Sequence, residues 1–240
     1  MKTYKTTRAT AWLTAVIALL VGLFAMAAKP PVAKRGNTKI IATDLLVYSH
    51  TYTEWIDAYC QWAFSLPNES HPFYDETGAS ATNGQSGPIW YLVGAFNESG
   101  VVSRRCEVPH GVALFIPVLD TQCFNFDYFG IPVSQEELVS CAKDIIDAAA
   151  NVSLTIDGTP VPDLVSFRKT SDPVDINFDD NNVFGLPAGH ASAVADGYYV
   201  IVGPLRVGQH IIRFTGTFTD ILWGQDVTYL LTVVPHKSKR

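Results

Sequence analysis

The sequence predicts a mainly β (α+β) domain: an antiparallel β-sandwich or jelly roll carrying two packed helices, at about 49–65 and 134–149. Three observations predict it. After residue 150, short apolar-alternating runs recur between Gly and Pro turns, the pattern of an antiparallel sandwich. Before it, residues 89–96 and 112–119 are apolar on both faces, as strands covered on both sides are. Helical periodicity is confined to two segments.

The chain opens MKTYKTTRATAWLTAVIALLVGLFAMAAKP. Lys2, Lys5 and Arg8 precede an uncharged run at 11–26, and AMA at 25–27 offers a small-x-small cleavage pattern. Residues 1–28 therefore read as a secretory signal peptide. The alternative is an uncleaved N-terminal anchor, because 16 residues approach the spanning limit of about 17. Residues 29–37 read as a flexible mature N-terminus, and 38–236 as a single sandwich domain with a candidate sub-boundary near 150. Removing 1–28 moves the formal charge from −6 to −9, with 14 Lys and Arg against 23 Asp and Glu. So acidic a chain is not held on nucleic acid or anionic lipid by its net field. The expected membrane contact is through the N-terminal segment alone.

Residues 38–42 read as a short strand. In 49–65, Tyr52, Trp55, Tyr59 and Trp62 recur at helical spacing, and Pro67 ends the helix. A long Pro- and Gly-rich loop follows at 67–88; loops of that length are commonly functional. VPHG at 108–111 reads as a hairpin corner between a strand at 104–108 and the next at 112–119. SQEELVSCAKDIIDAAA at 134–150 carries a Ser134–Glu137 capping box and a stripe of Leu138, Cys141, Ala142, Ile145 and Ala149. Asp157-Gly158 marks a two-residue hairpin. VDINF at 174–178 alternates inward Val174, Ile176 and Phe178 with outward Asp175 and Asn177.

Cys60, Cys106, Cys123 and Cys141 give an exported chain two disulfides in one of three pairings. Proximity favours Cys123–Cys141 and, by elimination, Cys60–Cys106. No zinc-ligand spacing occurs, and no cofactor or metal is expected. Asp175, Asn177 and Asp179 begin like a calcium loop, but Asp180 and Leu186 stand where glycine and glutamate are needed. A looser calcium site at the sandwich edge is the remaining form of that idea. Ser86 in GQSGP lacks the aspartate and one glycine of a serine-protease nucleophile loop and reads as a turn. The histidines are scattered, with His210 expected to point outward at a strand start.

Asp75, Gln85, Trp90 and Arg104 combine a carboxylate, an amide, an aromatic face and a guanidinium, a set able to line a sugar or peptide site. The competing use is structural: Trp90 in the core, Asp75 and Gln85 on loop backbone, and Arg104 in a salt bridge.

GQSGPIWYLVG, RRCEVPHGVALFIPV and ADGYYVIVGPLRVGQHIIRFTG resemble three blocks of a family of uncharacterised exported bacterial and archaeal proteins, over roughly residues 50–235. The resemblance marks Gln85, Gly87, Pro88, Trp90, Gly94, Arg104, Cys106, Pro109, Gly111, Pro117, Gly197, Gly208 and His210, and it implies no reaction. Some members of that family carry a cysteine in the loop before the glutamine. Here that stretch is GASATNG, which implies a different partner for Cys106.

Two functions follow as expectations. The first is a secreted, envelope-associated binding or structural module whose partner is a cell-envelope glycan or protein. The second is an extracellular glycan or peptide hydrolase using Asp75 with a carboxylate such as Glu137, a chemistry needing roughly 5–10 Å between them.

Overall fold

The computed structural model describes residues 38–97, 100–125, 131–220 and 223–235. The expected signal segment at 1–28, the expected flexible stretch at 29–37 and residues 236–240 lie outside these. The fold is mainly β with two helices. The chain runs β1 (Ile40–Ile41), α1 (Tyr52–Ser65), β2 (Ile89–Tyr91), β3 (Val101–Pro109), β4 (Ala113–Phe124), α2 (Gln135–Asp147), β5 (Ala149–Ile156), β6 (Thr159–Pro160), β7 (Arg168–Thr170), β8 (Val174–Phe178), β9 (Gly189–Val202), β10 (Gly208–Phe218) and β11 (Trp223–Val234).

Two sheets stack. One is ordered β1-β9-β4-β2, with β7 and β8 also paired to β9; the other is β3-β11-β10-β5-β6. Both draw strands from either side of residue 150. Most pairs are antiparallel, but β2–β4 and β3–β11 are parallel, so the sheets are mixed rather than purely antiparallel. The expected β3–β4 hairpin is the cause of the difference. β3 alternates between exposed and buried, whereas β4 is buried on both faces over its first seven residues. Two strands with such different cover belong to different layers, and His110-Gly111 carries the chain from one sheet to the other.

α1 covers one face of the β4–β9 sheet. Its Tyr52, Trp55, Ile56, Tyr59, Cys60 and Phe64 pack with Phe115, Tyr199, Ile176 and Phe178. Thr51 and Glu54 close a capping box at its start, which satisfies two otherwise orphaned amides. The opposite face is shared. Trp90, Leu114, Ile116 and Val200 meet Phe214, Val227 and Leu231 of the second sheet, and α2 packs Leu138 and Ala142 on Cys123 and Val194. α2 has the predicted Ser134–Glu137 box. Cys123–Cys141 is a disulfide with Cα atoms 6.2 Å apart, joining β4 to α2. Cys60 and Cys106 are both unpaired, which corrects the expected second bridge. Cys60 lies in the α1 layer and Cys106 between the sheets, so the β4–β9 sheet separates them.

Candidate functional site

Arg104 organises the residues nominated from the sequence. It points inward from β3 and is 1% exposed. Its Nη1 donates to the carbonyls of Val93 (2.8 Å) and Gly94 (2.9 Å) and to Tyr229 Oη (2.8 Å). Nε donates to the Asp75 carbonyl at 2.6 Å, and Nη2 to that of Phe73 at 3.3 Å. Tyr229 Oη donates to the Val93 carbonyl and accepts from the Val93 amide. Among the described residues Arg104 makes no ion pair. The expected salt bridge is replaced by a ring of backbone acceptors from segments 73–75 and 93–94 together with the Tyr229 hydroxyl.

Of the other three nominated residues, Asp75 and Gln85 serve loop and strand backbone, and Trp90 is a packing residue. Asp75 accepts from the Thr77 amide and hydroxyl and from the Ser80 amide, at 2.7–2.8 Å. Partial burial pushes its carboxyl up, but these hydrogen bonds outweigh that and hold it below the usual range. Gln85 grips Tyr91 at two points, accepting from its amide (3.0 Å) and donating to its carbonyl (2.9 Å), and so holds the long loop to β2. Trp90 packs between the sheets. Gly94 is needed because a Cβ there would sit 2.4 Å from Gln225 Oε1, and that side chain bridges the Ala95 amide to the Val118 carbonyl. None of the four borders the open groove of about 400 Å³ lined by Gly78, Thr82, Arg105, Cys106, Glu107 and Leu230.

The other chemical candidates are spoken for in the same way. Glu137 is exposed and accepts from the Ser134 amide and hydroxyl, which hold its carboxyl below the usual range. Asp75 and Glu137 are thus both kept anionic, whereas a general acid must retain its proton near neutral pH. α2 packs on β4, β9 and β7, while the Asp75 loop is tied to β3 through the Arg105 amide and the Thr77 carbonyl. His210 is buried, not outward: Nδ1 meets Asp157 Oδ2 and Nε2 the Arg206 carbonyl, both at 2.8 Å. Alternation from Gly208 turns positions 210, 212 and 214 inward. Burial pushes the Cys106 thiol up to about 12 and raises that of Cys60 well above its ordinary value, which leaves neither a nucleophile. In the acidic segment, Asn182 spends its side chain on backbone at Asp179, Phe184 and Leu186. Among the described residues no three His, Cys, Asp or Glu side chains are grouped for a metal ion.

Two features escaped the sequence reading. The first is half-buried. Asp120 on β4 lies opposite Gly197, where a Cβ would come within 2.5 Å of its own. It faces the α1 layer, close enough to Tyr59, Cys60 and Tyr199 to perturb each. Burial pushes its carboxyl up to about 7, against a hydrogen bond from Gln122.

The second is on the surface. Tyr74, Phe96 and Phe184 are 47, 39 and 37% exposed, with ring centroids 6.1 Å (Tyr74–Phe96) and 6.5 Å (Phe96–Phe184) apart. They come from three separate loops and rest on Phe64, Phe73, Phe124 and Phe178. Hydrogen bonds hold the loops in place: Phe96 amide to the Phe73 carbonyl (3.0 Å), Tyr74 Oη to the Val183 carbonyl (3.4 Å), and Asn182 within its own turn. Amides and carboxylates rim the rings, with Asn97 on Glu76 and Asn181 on Glu69. The only hint in the sequence is a large aromatic in each of the polar stretches HPFYDET, GAFNESG and NNVFGL.

No family model matches this chain, and no curated protein matches it. Among solved structures it is similar to one described as "Structure of PbICP-C in complex with falcipain-2", at 12% identity over 62% of this chain and all of that one. The TM-score is 0.26, a likeness that carries neither fold nor function across.

Proposed function

We propose that this protein is an exported, envelope-associated binding module, and that it takes a cell-envelope glycan on the surface of Tyr74, Phe96 and Phe184. The observation that carries this reading is the aromatic surface itself. Three rings from distant loops are pinned in an exposed position, beside side-chain amides and carboxylates. Rings stack on the apolar faces of sugars while neighbouring amides and carboxylates meet the hydroxyls. Contiguous exposed apolar surface on a folded protein commonly marks an interaction site. The signal-like N-terminus and the resemblance to exported proteins belong to the same reading.

Retention on purified peptidoglycan sacculi tests it. The wild-type chain is retained, and Tyr74→Ala/Phe96→Ala lowers retention at least about tenfold, equivalent to about 1.4 kcal/mol, with an unchanged melting temperature. Absence of retention, or equal retention of both proteins, counts against the reading.

A further inference from the structure

The end of the sandwich opposite the aromatic surface carries a second exposed apolar feature. β4 and β9 run the length of the sheet, with Leu114 paired to Val202 at one end and Phe124 to Ala193 at the other. The aromatic surface rests on the Phe124 end; β4 spans roughly 36 Å at about 3.3 Å per residue. At the Val202 end the loop 42–50 presents Leu46, Leu45 and Tyr48, which are 65, 51 and 44% exposed.

The loop is held tightly. The Val47 and His50 amides and carbonyls are mutually bonded (2.8 and 3.1 Å), the Leu45 amide bonds the Ala42 carbonyl (3.1 Å), and Trp55 Nε1 donates to the Val47 carbonyl (2.8 Å). Tyr48 and Ser49 both take left-handed backbone angles, φ +48° and +69°, a conformation costly for non-glycine residues. Val47 is buried beneath. The backbone bonds and the two left-handed residues hold the turn in a shape that leaves the leucines facing outward.

The chain also enters the domain at this end. β1 pairs Ile40 with Val202, and the Lys39 carbonyl accepts from Gly203. In the form that keeps its N-terminal anchor, eleven residues (27–37) separate the uncharged run at 11–26 from Thr38, a link of at most about 40 Å when fully extended. With a formal charge of −6, or −9 without residues 1–28, attraction to an anionic surface is disfavoured, so the fit is to a zwitterionic one. Apolar side chains beside a tyrosine suit the boundary between headgroups and acyl chains.

The geometry points to loop 42–50 as a shallow membrane-docking wedge that sets Leu45, Leu46 and Tyr48 into a zwitterionic phospholipid surface, with the aromatic end directed away from the bilayer. This inference does not depend on the nature of the aromatic ligand.

The test uses the full chain carrying Leu46→Cys, labelled with an environment-sensitive fluorophore, on phosphatidylcholine vesicles with and without a doxyl-lipid quencher. Cys60 and Cys106 are buried and stay native. A second protein carries the label through Asp180→Cys near the aromatic end. The wedge predicts a blue-shifted emission at position 46, quenched at least twofold, with position 180 unquenched. A solvent-like, unquenched label at 46, whether or not the chain sediments with vesicles, overturns it, as does equal quenching at both positions. Sacculus retention of the position-46 protein is expected to equal wild type, which separates this outcome from the fate of the glycan reading.

Discussion

Arg104 is a buried cation whose charge is met by carbonyl dipoles and a phenol instead of a carboxylate. Replacing it by an apolar residue of similar length takes a donor from five acceptors and leaves the Asp75 and Gly94 carbonyls without the bond that Arg104 supplies, while Phe73, Val93 and Tyr229 keep their other partners. Breaking a buried charged network of this kind costs about 3–5 kcal/mol, so Arg104→Met is expected to lower the denaturation midpoint by that amount; a loss under about 1 kcal/mol would show the ring of acceptors to be dispensable. Asp120 acts in the opposite sense. Its folded-state carboxyl lies near 7, above the unfolded value of about 3.9. Its contribution is therefore complete below that unfolded value and is lost as pH rises through 7. Asp57, raised to about 6 by burial and by the Asp172 and Glu54 charges, works in the same direction. The fold is expected to lose roughly 2–4 kcal/mol from Asp120 between pH 4 and 8. Asp120→Asn is expected to flatten that slope and to melt above wild type at pH 8, which thermal unfolding across pH checks. Neither role was legible in the sequence. A lone arginine in an alternating strand and an aspartate at the end of an apolar one give no sign of what the fold will place around them.

Elements were legible where the deciding contacts are local. The α1 aromatic stripe, the Ser134–Glu137 box, the Asp157-Gly158 turn and the β8 alternation each depend on residues within a few positions of one another. Strand partnership depends on distant residues. The turn at 110–111 has the look of a hairpin, yet β3 pairs with β11, more than a hundred residues on, and β4 with β2 and β9. The cysteines divide in the same way: the bridge 18 residues apart was legible, and the pairing by elimination failed because a whole sheet stands between Cys60 and Cys106. Cys123–Cys141 holds α2 to β4 where only a small cluster packs. Opening it is expected to cost about 3 kcal/mol by the loop-entropy estimate, or roughly 6–12 °C for a domain of this size. Comparing the double serine variant with wild type by calorimetry measures this, and equal melting temperatures would contradict it.

At the scale of the molecule, the predicted sandwich stands, and the residues that drew attention as a ligand site are the ones that hold it together. Gln85, Gly94, Arg104, Tyr229 and Gln225 do for segment 91–95 what strand neighbours do elsewhere. The candidate site was illegible because it is assembled from three separate loops, at positions 74, 96 and 184, and has no motif. Function is accordingly sought at the ends of the β4–β9 pair, in surfaces exposed at a cost to the fold, and away from its interior polar network. Hydrogen–deuterium exchange with and without soluble peptidoglycan fragments tests this most directly. Protection is expected at residues 73–76, 94–97 and 181–185 alone. Protection centred on the outer face of the β3–β11 sheet, or no protection at saturating fragment, would contradict it.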